Sequence, residues 1–283
     1  MKKILITGAG SYIGSSLLHY LKQWPDTYHV NAVTMQDGAW KNEDFSQYDV
    51  VFHAAGIAHR KETADNAHLY YEVNRDLSLA VAEKAKMQGV RQFIFLSSIS
   101  IYGMDTGIIT PETTPSPISH YGKSKLEAED LLKKLADSAF KLTIIRPPMV
   151  YGKNCKGNFQ KLVRLVEVCP IFPKCGNQRS MIFIDNLCEI VKVCIDNTMA
   201  GIFCPQNKEY VSTDKLIALI AKEKDKKVII SDFIGQLIKP FIEYIRPLRK
   251  AFGSLILDGW SNQASYSKNI DFKDSIKKSI QRL

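Results

Sequence analysis

The 283-residue sequence lacks the features that mark several protein classes. It has no apolar run that approaches the roughly 20 residues needed to span a bilayer. The N-terminal apolar stretch is too short for a signal peptide and leads directly into a glycine-rich turn, so we interpret it as a first strand. There is no internal repeat and no low-complexity tract. We therefore expect a cytoplasmic protein with one large domain or two unequal lobes.

Cysteine pairs with metal-ligand or disulfide spacing are also absent. The 6 cysteines all lie in the second half of the sequence, none forms a C-x-x-C pair, and no histidine follows His120. A zinc site needs such ligands. We therefore predict no metal site, and we expect the thiols to be reduced and buried.

The positive charge has no nucleic-acid-binding motif beside it. The formal net charge is +9, and the basic residues are dispersed, with modest clusters at residues 222–227 and 246–250. A zinc finger or a similar module would be needed to read this charge as a nucleic-acid interface. We therefore predict no nucleic acid partner.

A strand, a glycine-rich turn and a helix open the sequence, KKILITGAGSYIG. Residues 4–7 form an apolar run typical of a buried strand, and the helix should begin near Tyr12. Gly8 permits the tight turn and Gly14 lets the helix pack closely on the strand. The first N–H groups of such a helix, at its positive dipole end, bind a pyrophosphate. The segment therefore predicts a dinucleotide-binding unit.

The choice between NAD and NADP is made at the end of the second strand, which we predict at residues 28–35. An acidic side chain there selects NAD and a basic one selects NADP. The sequence has Thr34, Met35 and Gln36, with Asp37 slightly late. We expect NAD, and NADP stays open.

Strands continue to alternate with helices over about 150 residues. YDVVFHAAG, VRQFIFLSS and FKLTIIRPPMVYG predict further strands, residues 61–89 have a helical pattern, and residues 108–120 should form a loop. His53 ends the third strand as a proton carrier or a packed side chain. The pattern predicts an α/β fold, a Rossmann-type doubly wound parallel sheet in residues 1–150 that binds NAD(P). Residues 151–283 would form a smaller substrate lobe, with residues 201–204 returning to the main sheet.

Three side chains form a candidate proton-transfer group. Tyr121 and Lys125 are four residues apart on a predicted helix and so share one face. The serine-rich strand end LSSISIYG, which contains Ser98, precedes them. A nearby ammonium and a cationic nicotinamide would lower the tyrosine pKa from about 10, so Tyr121 could act as acid or base. Ser98 would bind the reacting substrate oxygen, and Lys125 a ribose hydroxyl.

Together the motifs resemble an extended short-chain dehydrogenase/reductase of the NAD-dependent epimerase/dehydratase family. The matching segments are TGAGSYIG, FHAAG, LSSISIYG, YGKSK and RPPMVYG, in this order over the first 150 residues. The resemblance implies an enzyme with Ser98, Tyr121 and Lys125 as its catalytic residues. The cofactor-binding residues that it implies are Gly8, Ser11, Tyr12, Ile13, Gly14, Ala54, Ala55, Gly56, Asn74, Tyr121 and Lys125.

The sequence departs from the family pattern at two positions. Ser11 replaces the middle glycine of the turn, with Gly10 beside it, and Met149 replaces an asparagine that commonly helps to hold the sugar nucleotide. The segments KGNF and QRSMIFIDNL, with FGSLILD, are similar to a subgroup of 4-epimerases and 4-ketoreductases of sugar nucleotides used in surface polysaccharide synthesis. The substrate-binding residues implied are Ser98, Met149, Asn158, Phe159 and Arg179.

The sequence leaves several alternatives open. It does not separate C4 epimerisation from 4-keto reduction of a nucleotide sugar, whereas Ile99 and Ser100 stand where a dehydratase carries an acid pair. Two further interpretations stay open. The protein could be a non-catalytic NAD(P)-binding sensor or scaffold, or an enzyme that acts on a lipid-diphosphate-linked sugar. Residues 233–257 are apolar and basic and are interrupted by two prolines, so they form a broken helical cover or a peripheral membrane contact. A homodimer is a further open prediction.

Overall fold

The computed structural model of the protein describes residues 1–36, 38–58, 60–260 and 269–281. Its main sheet has six parallel strands in the order β10-β6-β4-β3-β1-β2. In chain order these strands are β1 (Lys2–Thr7), β2 (Tyr28–Val33), β3 (Val50–His53), β4 (Gln92–Leu96), β6 (Lys141–Ile145) and β10 (Gly201–Phe203). The prediction of a doubly wound parallel sheet is confirmed.

The remaining strands within the described residues form three two-stranded sheets. These parallel pairs are β5 (Gly107–Ile109) with β12 (Leu255–Leu257), β7 (Met149–Tyr151) with β9 (Met181–Phe183), and β8 (Ile171–Pro173) with β11 (Ile229–Ser231). Long-range pairing has therefore turned two segments into strands against the sequence prediction, since residues 107–109 were expected in or beside a loop and residues 255–257 in a surface segment.

Helices connect the strands and cover the sheet. Among the described residues they are α1 (Tyr12–Leu21), α2 (Ala67–Tyr71), α3 (Leu77–Met87), α4 (His120–Leu135), α5 (Asn158–Val168), α6 (Ile184–Asp196), α7 (Thr213–Glu223), α8 (Asp232–Ile238), α9 (Arg246–Phe252) and α10 (Phe272–Ile280). A π-helical turn, Glu72–Asp76, joins α2 to α3, and 3-10 turns include Ile99–Tyr102 and Lys239–Phe241. The helical region predicted from residue 61 begins instead at Ala64.

Alternate strand residues enter two different cores, because successive side chains of a strand point to opposite faces. Ile4 and Ile6 pack in the core that contains α1 and α6, whereas Leu5 packs in the core that contains α3 and α4. The continuous apolar runs of the sequence are therefore explained by burial on both faces.

The carboxyl ends of β1, β3, β4 and β6 lie side by side at one edge of the sheet. In an open parallel sheet this edge is where ligands bind. Among the described residues, no helix is both long enough and apolar enough to cross a bilayer.

Candidate active site

The turn after β1 closely approaches the turn after β3. Gly8 has a φ of +97°, a conformation that other residues rarely adopt. A β-carbon at this position would lie 2.6 Å from the backbone nitrogen of Ala55. Ala54 and Ala55 are both buried. The predicted cofactor residues of the first and third strand ends are therefore adjacent, and only glycine fits between them.

Ser11 explains the departure from the usual glycine pattern. Its backbone is extended, with φ −78° and ψ 147°, which serine adopts without strain, and its side chain accepts a hydrogen bond from the Gly14 N–H at 3.0 Å. Ser11 is thus the N-cap of α1, so the turn needs no glycine there. The N–H groups of Tyr12 and Ile13 belong to the first helical turn, where an α-helix provides no backbone acceptor. These residues fit the diphosphate of a dinucleotide.

Asn74 joins the third strand end to the helix of the candidate catalytic residues. It is fully buried in the π-helical turn, and its Oδ1 accepts from the Ile57 N–H at 2.8 Å. Its Nδ2 donates to the Ile57 carbonyl and to Ser124 Oγ, each at 3.2 Å. A β-carbon at Gly56 would lie 2.9 Å from Asn74 Oδ1 and 3.4 Å from Lys125 Nζ. The structure therefore brings Gly56, Asn74 and Lys125 together.

His53 is packed behind this group and does not face the crevice. The Ser78 hydroxyl donates to the Asn74 carbonyl at 2.8 Å, so its oxygen accepts from His53 Nε2 at 3.0 Å. The Thr7 hydroxyl then donates to His53 Nδ1 at 2.7 Å. Burial, and secondarily the charge of Lys125, lowers the pKa of His53 to about 3. His53 is therefore a neutral side chain that fixes β1, β3 and the π-helical turn relative to one another.

The two serines at the end of β4 have different surroundings. Ser97 is buried and donates to Glu129 Oε1 at 2.6 Å, so its hydroxyl is used within the protein. Ser98 is half-buried and extended, and its Oγ accepts from the Ser100 N–H at 3.1 Å. Its Oγ donates to Ser100 Oγ at 3.1 Å, and the side chain is near enough to Tyr121 to act on the pKa of that phenol. Ser98 and Tyr121 are therefore together at the strand end, as the sequence predicts.

Tyr121 lies in the first turn of α4, whose N-cap is Ser119. The Glu62 carboxylate accepts from the N–H groups of His120 and Tyr121, at 3.1 and 3.0 Å. Burial raises the pKa of Tyr121, and the neighbouring Ser98 side chain acts in the opposite direction. The net shift is upward, so the lower pKa that the sequence argument expects depends on the positive charges of an ammonium and a nicotinamide, and it stays a prediction.

Lys125 is one turn further along the same face of α4 and is 4% exposed. Its Nζ donates to the Leu96 carbonyl at 2.8 Å and lies 4.5 Å from the centroid of the Phe95 ring. Burial lowers the pKa of Lys125 to about 7, although the negative charge of Glu129 acts against this. The lysine therefore changes charge near neutral pH.

A buried ion pair supports the helix and the serine-bearing strand end. Arg146 Nε donates to Glu129 Oε1 at 3.0 Å, and its Nη1 donates to the Tyr102 hydroxyl at 2.7 Å. Glu129 and Arg146 are 0% and 5% exposed. Sequence reasoning missed this pair and Glu62. The spacing of Tyr121, Lys125 and Glu129, each four residues apart, is a signal that could have identified Glu129.

The substrate residues implied by the family resemblance have mixed surroundings. Met149 is half-buried in β7 and pairs with Met181, and Asn158 is exposed at the start of α5. Arg179 is half-buried and its guanidinium donates to the Lys250 carbonyl. Phe159 is 1% exposed, with its ring centroid 5.4 Å from that of Tyr151. The ring of Phe159 packs in the core against Tyr151, and its role in substrate binding stays a prediction.

Comparison with known proteins gives one consistent family. Residues 4–202 match the NAD dependent epimerase/dehydratase family. A UDP-glucose 4-epimerase of Vibrio cholerae is 35% identical over 252 residues, which cover 80% of this chain and 76% of that protein. The N-acetyl-alpha-D-glucosaminyl-diphospho-ditrans,octacis-undecaprenol 4-epimerase of Escherichia coli O157:H7 is 27% identical over 247 residues, which cover 80% of this chain and 73% of that protein.

Solved structures share the fold over nearly the whole chain. UDP-glucuronic acid 4-epimerase from Bacillus cereus, crystallised with NAD, has a TM-score of 0.76 at 21% identity and covers 98% of this chain and 97% of its own. A dTDP-4-dehydrorhamnose reductase from Clostridium acetobutylicum also has a TM-score of 0.76 at 21% identity, with 98% of both chains covered.

Proposed function

The chain belongs to the NAD dependent epimerase/dehydratase family, and we propose that it interconverts C4 epimers of a nucleotide sugar with bound NAD. The observation that carries the proposal is the bond from the buried Lys125 Nζ to the Leu96 carbonyl, which holds the face of α4 that bears Tyr121 and Lys125 against the strand end that bears Ser98. A hydroxyl pair beside a lysine is suited to moving the proton of a sugar hydroxyl.

The cofactor would be held by groups from three strand ends. The N–H groups of Tyr12 and Ile13 would bind the diphosphate, and the space kept open by Gly8 admits the dinucleotide backbone. Lys125 would bind the nicotinamide ribose, beside Gly56 and Asn74. Bound NAD supplies the acceptor and donor of hydride at the sugar carbon. NADP stays open, because Asp37 lies outside the described residues.

The side chains would divide the proton transfer between them. Ser98 would donate a hydrogen bond to the substrate oxygen, and Tyr121 would take the proton of the C4 hydroxyl and return it. The raised pKa of Tyr121 means that a positive neighbour is needed to favour the phenolate at neutral pH. Lys125, one turn along the same face of α4, would be that cation, and Glu129 favours its charged form.

Reduction of a 4-keto sugar nucleotide is the second candidate, because a reductase has the same fold. Both curated relatives described above are 4-epimerases, which favours epimerisation. One of them acts, by its name, on an undecaprenyl-diphosphate-linked sugar, which supports a lipid-diphosphate substrate as a variant of the same reaction. The role in surface polysaccharide synthesis stays part of the proposal.

The surroundings of the reaction are proposed on separate grounds. Among the residues the structure describes, the six cysteines form no disulfide, which agrees with a cytoplasmic location. A homodimer stays a prediction that light scattering would test. Peripheral membrane contact through residues 233–257 stays a prediction too, and the exposed apolar side chains in its first half support it.

A Tyr121→Phe variant tests the proposal directly. We expect turnover of UDP-glucose and UDP-N-acetylglucosamine to fall about 10²–10⁴-fold, because the variant lacks the group that moves the proton. Tyr244→Phe, which removes the hydroxyl of an 86% exposed tyrosine, is the matched control. A Tyr121→Phe protein as fast as its parent would favour the non-catalytic sensor or scaffold.

Identification of the nucleotide that co-purifies with the protein separates the two reactions. Epimerisation returns the cofactor to its starting state, so NAD should remain bound through many turnovers. A reductase consumes reduced cofactor, so it should need added NADH or NADPH and act on a 4-keto sugar. Turnover of a UDP-hexose without added cofactor would therefore exclude the reductase.

A further inference from the structure

Exposed large hydrophobic side chains are concentrated in one part of the second lobe. Of the thirteen found among the described residues, nine lie in residues 165–171 and 229–245. Scattered exposed apolar side chains are normal, whereas a cluster marks an interaction surface. Residues 229–245 carry the largest of these exposed side chains.

Residues 232–245 follow a helical path with apolar side chains on both sides. Phe233 and Leu237 are four residues apart in α8 and so share one face, Phe241 ends the 3-10 turn that follows, and Tyr244 lies in the next turn. They are 76%, 61%, 52% and 86% exposed. We call these four residues the outer stripe.

The opposite side of the same path packs against the protein. A β-carbon at Gly235 would lie 1.9 Å from the Lys174 carbonyl oxygen, so α8 lies directly on the chain that follows β8. Ile242 is 8% exposed. Because the inner side already attaches this segment to the lobe, the outer stripe is not needed to hold the fold together.

Basic side chains flank the outer stripe along the sequence. Residues 222–250 contain eight lysines and arginines and four aspartates and glutamates. Lys226, Lys227, Lys239 and Lys250 are exposed, before, within and after the stripe. Asp105 pairs with Arg246, Arg249 and Lys250 at 3.3, 3.7 and 3.9 Å, so the basic side chains after the stripe are partly neutralised within the protein. The remaining excess is positive.

The second half of the predicted membrane segment is not part of this surface. Leu255 and Leu257 are 9% and 0% exposed, because β12 pairs with β5 inside the lobe. The surface is therefore shorter than residues 233–257 and ends near residue 245.

We propose that the outer stripe docks the protein on a lipid bilayer that carries anionic headgroups. Aromatic and aliphatic side chains would enter the interface, and the surrounding lysines would lie at the level of the headgroups. A second copy of this chain is a poorer occupant, since a symmetric contact through the stripe would bring the two sets of lysines together. The inference is independent of the reaction, and its test needs no substrate.

Vesicle co-sedimentation of the full-length protein tests the proposal. We expect binding to phosphatidylcholine vesicles that contain about 30% phosphatidylglycerol, and weaker binding to phosphatidylcholine alone or at high salt. A Phe233→Gln, Leu237→Gln double variant should lose about tenfold or more of its binding. Met87→Gln is the matched control, because Met87 is 87% exposed at the end of α3 and should leave binding unchanged.

Three outcomes would overturn the proposal. The parent protein could stay in the supernatant with every vesicle, or the double variant could bind as well as the parent. The parent could also be a dimer in light scattering that the double variant converts to a monomer, which would assign the stripe to a second copy. Equal urea midpoints and equal bound nucleotide for parent and double variant would show that the comparison is between folded proteins.

Discussion

A Lys125→Met substitution should make the protein more stable at about pH 6, although it removes a proposed catalytic side chain. Burial lowers the pKa of Lys125 from 10.5 to about 7. At about 1.4 kcal/mol per pH unit, this difference corresponds to about 5 kcal/mol of unfolding free energy that the charged lysine costs. Methionine would leave the Leu96 carbonyl without its donor, at a cost of about 2 kcal/mol. The variant should therefore gain about 3 kcal/mol.

The sign of the pH dependence follows from the two pKa values. Below about pH 7 the lysine is protonated in both the folded and the unfolded chain, so the full cost is present. Between about pH 7 and 10.5 the folded chain holds fewer protons than the unfolded one, so the parent gains stability relative to the variant as the pH rises. The advantage of Lys125→Met should vanish over this window, near pH 9, and then reverse.

Urea unfolding followed by circular dichroism measures this difference at one-unit pH steps. Both proteins must first be stripped of nucleotide, because a ligand that binds only the folded chain raises its stability. Lys123→Met is the matched control, since Lys123 is an exposed residue of the same helix. A constant difference between parent and Lys125→Met across the pH series would refute the reasoning, because it would mean that Lys125 is not desolvated.

Three further substitutions test the roles of single contacts. Ser98→Ala should lower kcat about 10²–10³-fold and leave the urea midpoint unchanged. Ser97→Ala should cost about 1–3 kcal/mol of unfolding free energy, because it removes a donor to Glu129, and its loss in kcat should be smaller. Equal kinetic losses would contradict this assignment. Arg146→Leu should cost about 3–5 kcal/mol, since it leaves the Glu129 carboxylate buried without its partner, and a urea midpoint equal to that of the parent would show that the pair is dispensable. Phe159→Ala should cost about 3–5 kcal/mol, and a raised KM at unchanged stability would return this side chain to the substrate site.

The local features of the site could be predicted from the sequence. The glycine turn, the strand that ends at Ser98 and the four-residue spacing of Tyr121 and Lys125 each depend on neighbouring residues, and the structure has all three. The choice of Ser98 over Ser97 stays a prediction, and the bond from Ser97 to Glu129 supports it.

Features that depend on distant residues were missed. Glu62 caps α4 from 58 residues away, and β12 pairs with a strand almost 150 residues earlier. Phe159 has the position of a substrate residue in the family pattern, yet its ring packs on Tyr151. Neither propensity nor periodicity contains information on such contacts, because they arise only when the chain adopts its tertiary fold.

The raised pKa of Tyr121 has a similar origin. The sequence shows which charges are near a tyrosine along a helix, but it does not show how far water is excluded from the side chain. In the folded chain the loss of water outweighs the effect of the neighbouring Ser98 side chain on the pKa of Tyr121.

The return of β10 to the main sheet has a consequence for fragments of this protein. Residues 201–203 cover the edge of β6, and Lys2 Nζ donates to the carbonyl of Asp196 at 2.9 Å. A fragment that stops near residue 150 would leave the backbone groups of β6 open to pairing with another chain. We expect such a half-protein to aggregate during expression. A shorter fragment designed to fold by itself would therefore need to contain residues 184–203 together with residues 1–150.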